Sequence, residues 1–107
     1  MNSIKYIRLV TGEDIISEVL EVNGEPHVTL YNPMKLLYTF EGESKIRMQL
    51  IEWIFSNLVV KNIFALKRRD ILIMEDAAEG ITSAYSEQTS ETSLNELLSS
   101  RSRKNLD

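Results

Sequence analysis

The chain contains no cysteine. Disulfides, thiolate metal sites and Cys nucleophile chemistry are therefore excluded, and the composition fits a reducing cytoplasm. Histidine is nearly absent too. The single one, His27, follows a turn at a strand start, and no GxSxG-type elbow accompanies it, so it reads as a solvated loop histidine rather than a catalytic one. One His among scattered carboxylates has no metal-ligand spacing. The four glycines are dispersed and build no phosphate-cradling loop. No apolar run is long enough to cross a bilayer. The N-terminus, MNSIKYIRLVTGED, lacks the apolar h-region of a signal peptide. The pairs Glu13 and Asp14, and Glu41 and Glu43, read as turn residues rather than an acid/base pair. The sequence predicts a protein that is not an enzyme and has no cofactor or metal.

What is present suffices for one domain. The chain has 107 residues, 43% of them hydrophobic, and a chain of this size buries about two-thirds of its unfolded surface without staples. The formal net charge is -4. An acidic monomer repels nucleic acid at long range, so any such binding needs a local basic patch, or one multiplied by oligomerisation.

Residues 3 to 75 read as about six or seven short strands with frequent turn signals. Ser3 to Val10 is the first strand, and Thr11-Gly12-Glu13 turns the chain. Asp14 to Val22 is the second strand. It places Ile16, Leu20 and Val22 on one face and Ile15 and Val19 on the other, so both faces are partly buried. Asn23-Gly24 predicts a type I′ hairpin, because both residues tolerate positive φ. His27 to Tyr31 is the third strand. Asn32-Pro33 then marks a bulge, a strand start or an edge, since proline cannot donate to a ladder. Met34, Leu36, Tyr38 and Phe40 alternate to the turn Glu41-Gly42-Glu43-Ser44. In Lys45 to Phe55 the apolar phase slips, which predicts a bulge or bend near Leu50-Ile51. Trp53 reads as a core residue or a base-stacking platform. Leu58-Val59-Val60 is an apolar patch on a loop and a possible contact surface.

The basic stretch Lys67-Arg68-Arg69-Asp70 lies between two apolar strands, Ile63 to Leu66 and Ile71 to Met74. Two readings stand: a turn charged because it faces water, or a focus of positive potential for an anionic ligand such as a nucleic acid phosphate. After Glu75 the alternation ends. Residues 77 to 86 carry helix formers. Ser93 to Glu96 has capping-box spacing, with Leu94, Leu97 and Leu98 on one helical face and Arg101, Arg103 and Lys104 beyond. The tail reads as a short helix or as partly disordered. The fold expectation is all-β: a small, strongly bent antiparallel barrel of SH3-like or Sm-like size over residues 1–76, with a helical or flexible tail over 77–107.

These segments resemble the Sm and Sm-like family over about residues 3–76. IRLVTGEDIISEVLEVNGEPHVTL is similar to its first signature, with Gly12 at the glycine and Asn23 to His27 as the loop. VTLYNPMKLLY is similar to a strand pair of the bacterial Sm-like RNA chaperone. IFALKRRDILIM resembles the second signature, with Lys67-Arg68 at the turn. The short Sm-like proteins of marine phages look most similar. The resemblance implies a cytoplasmic homo-oligomeric ring (in the host cytoplasm if the chain is viral), of about five to seven subunits. Ring closure would pair Ile63 to Leu66 of one copy with Ile71 to Met74 of the next. The ring would hold single-stranded RNA or DNA at its pore, with Asn23, His27, Lys67, Arg68 and Arg69 as the binding residues. The alternative, from the acidic surface, the 58–60 patch and the tail, is a protein-binding or scaffolding barrel that binds no nucleic acid.

Overall fold

Residues 3–89 are described by a computed structural model. Six strands follow one another: β1 (Ser3–Leu9), β2 (Asp14–Leu20), β3 (His27–Phe40), β4 (Ile46–Glu52), β5 (Ile63–Lys67) and β6 (Ile71–Asp76). All pairings are antiparallel, in the order β4-β3-β2-β1-β6, and β5 pairs with the first half of β3. Residues 79–89 form a helix, α1. The protein is thus a small antiparallel all-β fold with a helical segment after the last strand. No described helix is long and apolar enough to cross a membrane.

The apolar residues on both faces of β2 become two cores. Ile15 and Val19 join Ile7, Leu9, Val28 and Leu30 inside the curled sheet. Leu66 of β5, which branches from β3, and Ile71 and Met74 of β6, at one end of the pairing path, pack on the same cluster, so these two strands help enclose one interior. Ile16, on the opposite face of β2, packs with Met34, Leu50 and Tyr85 of α1. The second core is the joint between helix and sheet.

Asn32-Pro33 is the bulge that its proline suggested. Ile16 faces Met34, whereas Glu18 faces Tyr31, so two β3 residues stand opposite Ser17. Asn32 adopts a left-handed φ of 51°, and Pro33 is fully buried. In a regular strand Leu30 and Met34 would share a face; the extra residue sends Leu30 inward and Met34 toward the helix. The carbonyls left without ladder partners are taken up by Tyr85. Its hydroxyl shares its one proton between Tyr31 O (2.8 Å) and Asn32 O (3.0 Å) and accepts from the Glu18 N–H (3.2 Å).

Three local expectations are corrected. β4 pairs with β3 in unbroken register from Ile46 to Glu52, so it has no bulge at Leu50-Ile51. The apparent slip arises because Trp53 lies beyond the strand end, where its N–H reaches back to Pro33 O (3.4 Å). Asn23-Gly24 is not a type I′ hairpin. Glu25 N–H donates to Val22 O (3.2 Å), but only Gly24 has positive φ, at 85°, which is the type II sign pattern. β2 and β3 are joined by a longer loop, residues 21–26. Asp14 is not a turn residue but the buried first residue of β2. Trp53 packs on the interior core and meets Phe64 edge-on at 5.9 Å. Its indole N–H donates to the Glu13 carboxylate (3.3 Å). The capping box at Ser93 to Glu96 and the basic end of the tail lie outside the described residues.

Candidate functional site

β5 and β6 flank the basic segment, yet they do not pair with each other. β5 lies on β3 and β6 on β1. Arg68–Asp70 is a 3-10 turn that crosses between these two parts of the sheet. Asp70 O accepts Val10 N–H (2.9 Å) after β1, and Arg68 N–H donates to Pro26 O (2.9 Å) before β3. The cations therefore sit on a bridging turn, fastened at both ends, rather than at the tip of a free hairpin.

The three cations have different surroundings. Arg68 is turned back on the protein. Its Nε donates to Glu25 O (2.8 Å), Nη1 to Glu21 Oε1 (3.0 Å) and Nη2 to Val22 O (3.3 Å). Its planar fork suits several acceptors at fixed angles. The Glu21 pair is partly exposed, so its Coulombic contribution is about 1 kcal/mol or less. What Arg68 supplies is geometry: it holds loop 21–26 against the turn. Lys67 and Arg69 are exposed, and neither forms an ion pair among the described residues.

His27 faces Lys67 across the β3–β5 ladder. Pro26, His27, Lys67, Arg68 and Arg69 together line a recess of about 370 Å³. Four of the five residues expected from the sequence are thus brought together. Asn23 is exposed at the turn of loop 21–26, but it is not among the residues that line the recess. Sequence reasoning missed Glu21, Glu25 and Pro26, which anchor Arg68. Nothing local marks them, since Glu21 and Glu25 lie 47 and 43 residues before Arg68.

A second polar cluster lies between β1 and β2. The Asp14 carboxylate accepts from Tyr6 Oη (2.6 Å) and from Arg8 Nε (2.9 Å) and Nη2 (3.4 Å). The Arg8 hydrogen bond holds Asp14 below the usual carboxylate range against the opposing effect of burial, and Tyr6 adds to the lowering. The Tyr6 hydroxyl and two Arg8 nitrogens converge on one buried carboxylate within the fold, so this cluster is a structural joint. Comparison with known proteins finds no family model and no curated protein that matches the chain.

Proposed function

We propose that this chain is an Sm-like, ring-forming subunit that binds single-stranded nucleic acid, RNA in the first instance, in the recess between loop 21–26 and the bridging turn. One observation carries the reading: Lys67 and Arg69 flank the same recess as His27 and have no carboxylate partner among the described residues. Two cations and an imidazole suit a nucleotide, with the phosphate between Lys67 and Arg69 and the base against His27 or the edge of Pro26. Arg68 positions the loop. Ring assembly would repeat two cations per subunit and concentrate a field that an acidic monomer lacks. Support for assembly comes from the outer edges of β5 and β6, which pair with no strand among the described residues. Ile63, Leu72 and Ile73 are exposed along them, and uncovered apolar edges invite strand addition. The lack of cysteine supports a cytoplasmic setting.

The test is binding to short oligo(U) and oligo(A) across a salt series. Lys67→Ala with Arg69→Ala should weaken binding and reduce the slope of log K against log salt by about 1.4, the value for two phosphate contacts on a single strand. Unchanged affinity and slope would remove the site. Light scattering coupled to size exclusion tests the ring, and a monomer at binding concentrations would remove it. A protein-binding barrel is the second reading, because Val60 is fully exposed and Leu58 is 71% exposed. That reading gains if the unmodified chain gives no oligonucleotide mobility shift at low salt.

A further inference from the structure

The peptide that joins Asn23 to Gly24 is free, in a loop whose flanks are held. Val22 O accepts from Glu25 N–H (3.2 Å) and from Arg68 Nη2 (3.3 Å), and Glu25 O accepts from Arg68 Nε (2.8 Å). Between them, neither Asn23 O nor the Asn23 side-chain amide nor Gly24 N–H forms a hydrogen bond among the described residues. Both residues are exposed. Gly24 has a φ of 85°, and the space where a Cβ would stand is open. Glycine takes positive and negative φ about equally well, so this peptide plane can turn while its neighbours stay fastened.

The other described asparagines lack this freedom. Asn32 precedes Pro33, which has no N–H. After Asn57, the Leu58 N–H is committed to Phe55 O (3.0 Å). Asn62 donates through Nδ2 to Asn32 Oδ1 (3.4 Å), and its backbone carbonyl accepts from Asn32 N–H (2.9 Å). The residue after it, Ile63, is β-branched. Among the described residues, only Asn23 sets an exposed, unbonded side-chain amide beside an unbonded backbone nitrogen whose residue carries no side chain.

We propose that Asn23 is a site of spontaneous deamidation, which converts it to aspartate and isoaspartate. Gly24 N attacks Asn23 Cγ and gives up its proton to solvent. A C–N bond closes a succinimide ring, and the side-chain nitrogen leaves as ammonia. Water then adds to one of the two ring carbonyls and breaks its C–N bond. Opening at the γ-carbonyl gives aspartate, and opening at the α-carbonyl gives isoaspartate. The net change is one water in and one ammonia out, with no oxidant or reductant. Each product carries a new carboxylate. Isoaspartate also routes the main chain through the side-chain methylene, which lengthens the path between Val22 O and Glu25 O, two acceptors that the planar Arg68 fork holds at fixed angles. The isoaspartate loop therefore comes off the arginine. The new charge stands in the loop beside the recess and opposes anion binding there; that consequence rests on the proposed function, whereas the modification does not.

The test is to hold the full chain, folded, in mildly alkaline buffer and to follow its peptides by mass spectrometry with chromatographic separation of the two acids. Asn23 should convert about tenfold faster than Asn57 or Asn62, giving both aspartate and isoaspartate. Gly24→Ala, which puts a side chain on the residue of the attacking nitrogen, should slow the conversion severalfold. The isoaspartate fraction of the aged protein should show faster hydrogen exchange across residues 21–26 than the fresh chain. Conversion at Asn23 no faster than at Asn57 and Asn62, or acid formed without isoaspartate, would overturn the assignment. Unchanged exchange in the isoaspartate fraction would overturn the release of the loop.

Discussion

The network around Asp14 and the network around Arg68 use the same chemistry, carboxylate to guanidinium, in different settings. Asp14 is 6% exposed and accepts from a phenol and an arginine. The Arg68 and Glu21 side chains are each 38% exposed, and most of the arginine's bonds go to backbone carbonyls of one loop. A buried carboxylate stripped of its donors has no water to replace them, whereas a rim arginine and its acceptors resolvate. The first network should therefore govern whether the sheet stands, and the second where a loop sits.

The largest effect should come from the buried side. Asp14→Asn removes the charge that Tyr6 and Arg8 converge on, and should cost about 2 kcal/mol in chemical denaturation. A loss below a few tenths would erase the distinction between the networks. The same group predicts the acid limb of stability. The folded-state pKa of Asp14 is depressed, so its contribution is fully present above the unfolded-state value and is lost as pH falls through the folded one. Stability should begin to decline below about pH 4, and the decline should be shallower in Asp14→Asn.

Tyr85→Phe comes next. It strands Asn32 O and the Glu18 N–H within the helix–sheet joint and leaves Tyr31 O only the Ser17 hydroxyl (3.1 Å), with an expected cost of about 1–2 kcal/mol. Hydrogen exchange at Glu18 should rise first. Arg68→Ala should cost under about 1 kcal/mol, yet it should speed exchange across residues 21–26 and weaken oligonucleotide binding through loop position. Smallest of all, Lys67→Ala with Arg69→Ala should leave the denaturation midpoint unchanged, because neither side chain holds any part of the described fold in an ion pair. A large stability loss there would show that the two cations are structural after all.

What was legible in the sequence follows from the range of the forces involved. Alternation in the second half of β3 is local, and so is the conflict between Pro33 and a regular ladder. The two-sided apolar content of β2 announces burial on both faces, seen as Ile15 in one core and Ile16 in the other, but Leu20 and Val22, expected on the face of Ile16, are exposed. The turn at Asn23-Gly24 was misjudged because its form depends on contacts far along the chain, with Arg68 drawing on the carbonyls of Val22 and Glu25. The slip expected in β4 is absent because the strand ends at Glu52, one residue before Trp53. At the candidate site, the residue types and their approximate neighbourhood were readable. The division of labour between Arg68 and its neighbours was not, since three adjacent cations look alike until their acceptors are located.

The bulge at Asn32-Pro33 bears on how the helix came to have a berth. Without one of those two residues β3 would run as a regular strand, and Leu30 and Met34 would still face the sides they face now. The irregularity is therefore not needed to sort apolar from polar. Its product is a pair of carbonyls released from the ladder, and these are what Tyr85 grips. A tidier strand would be a sheet without a socket, and α1 would have an oily surface to lie on but no fixed point to latch to.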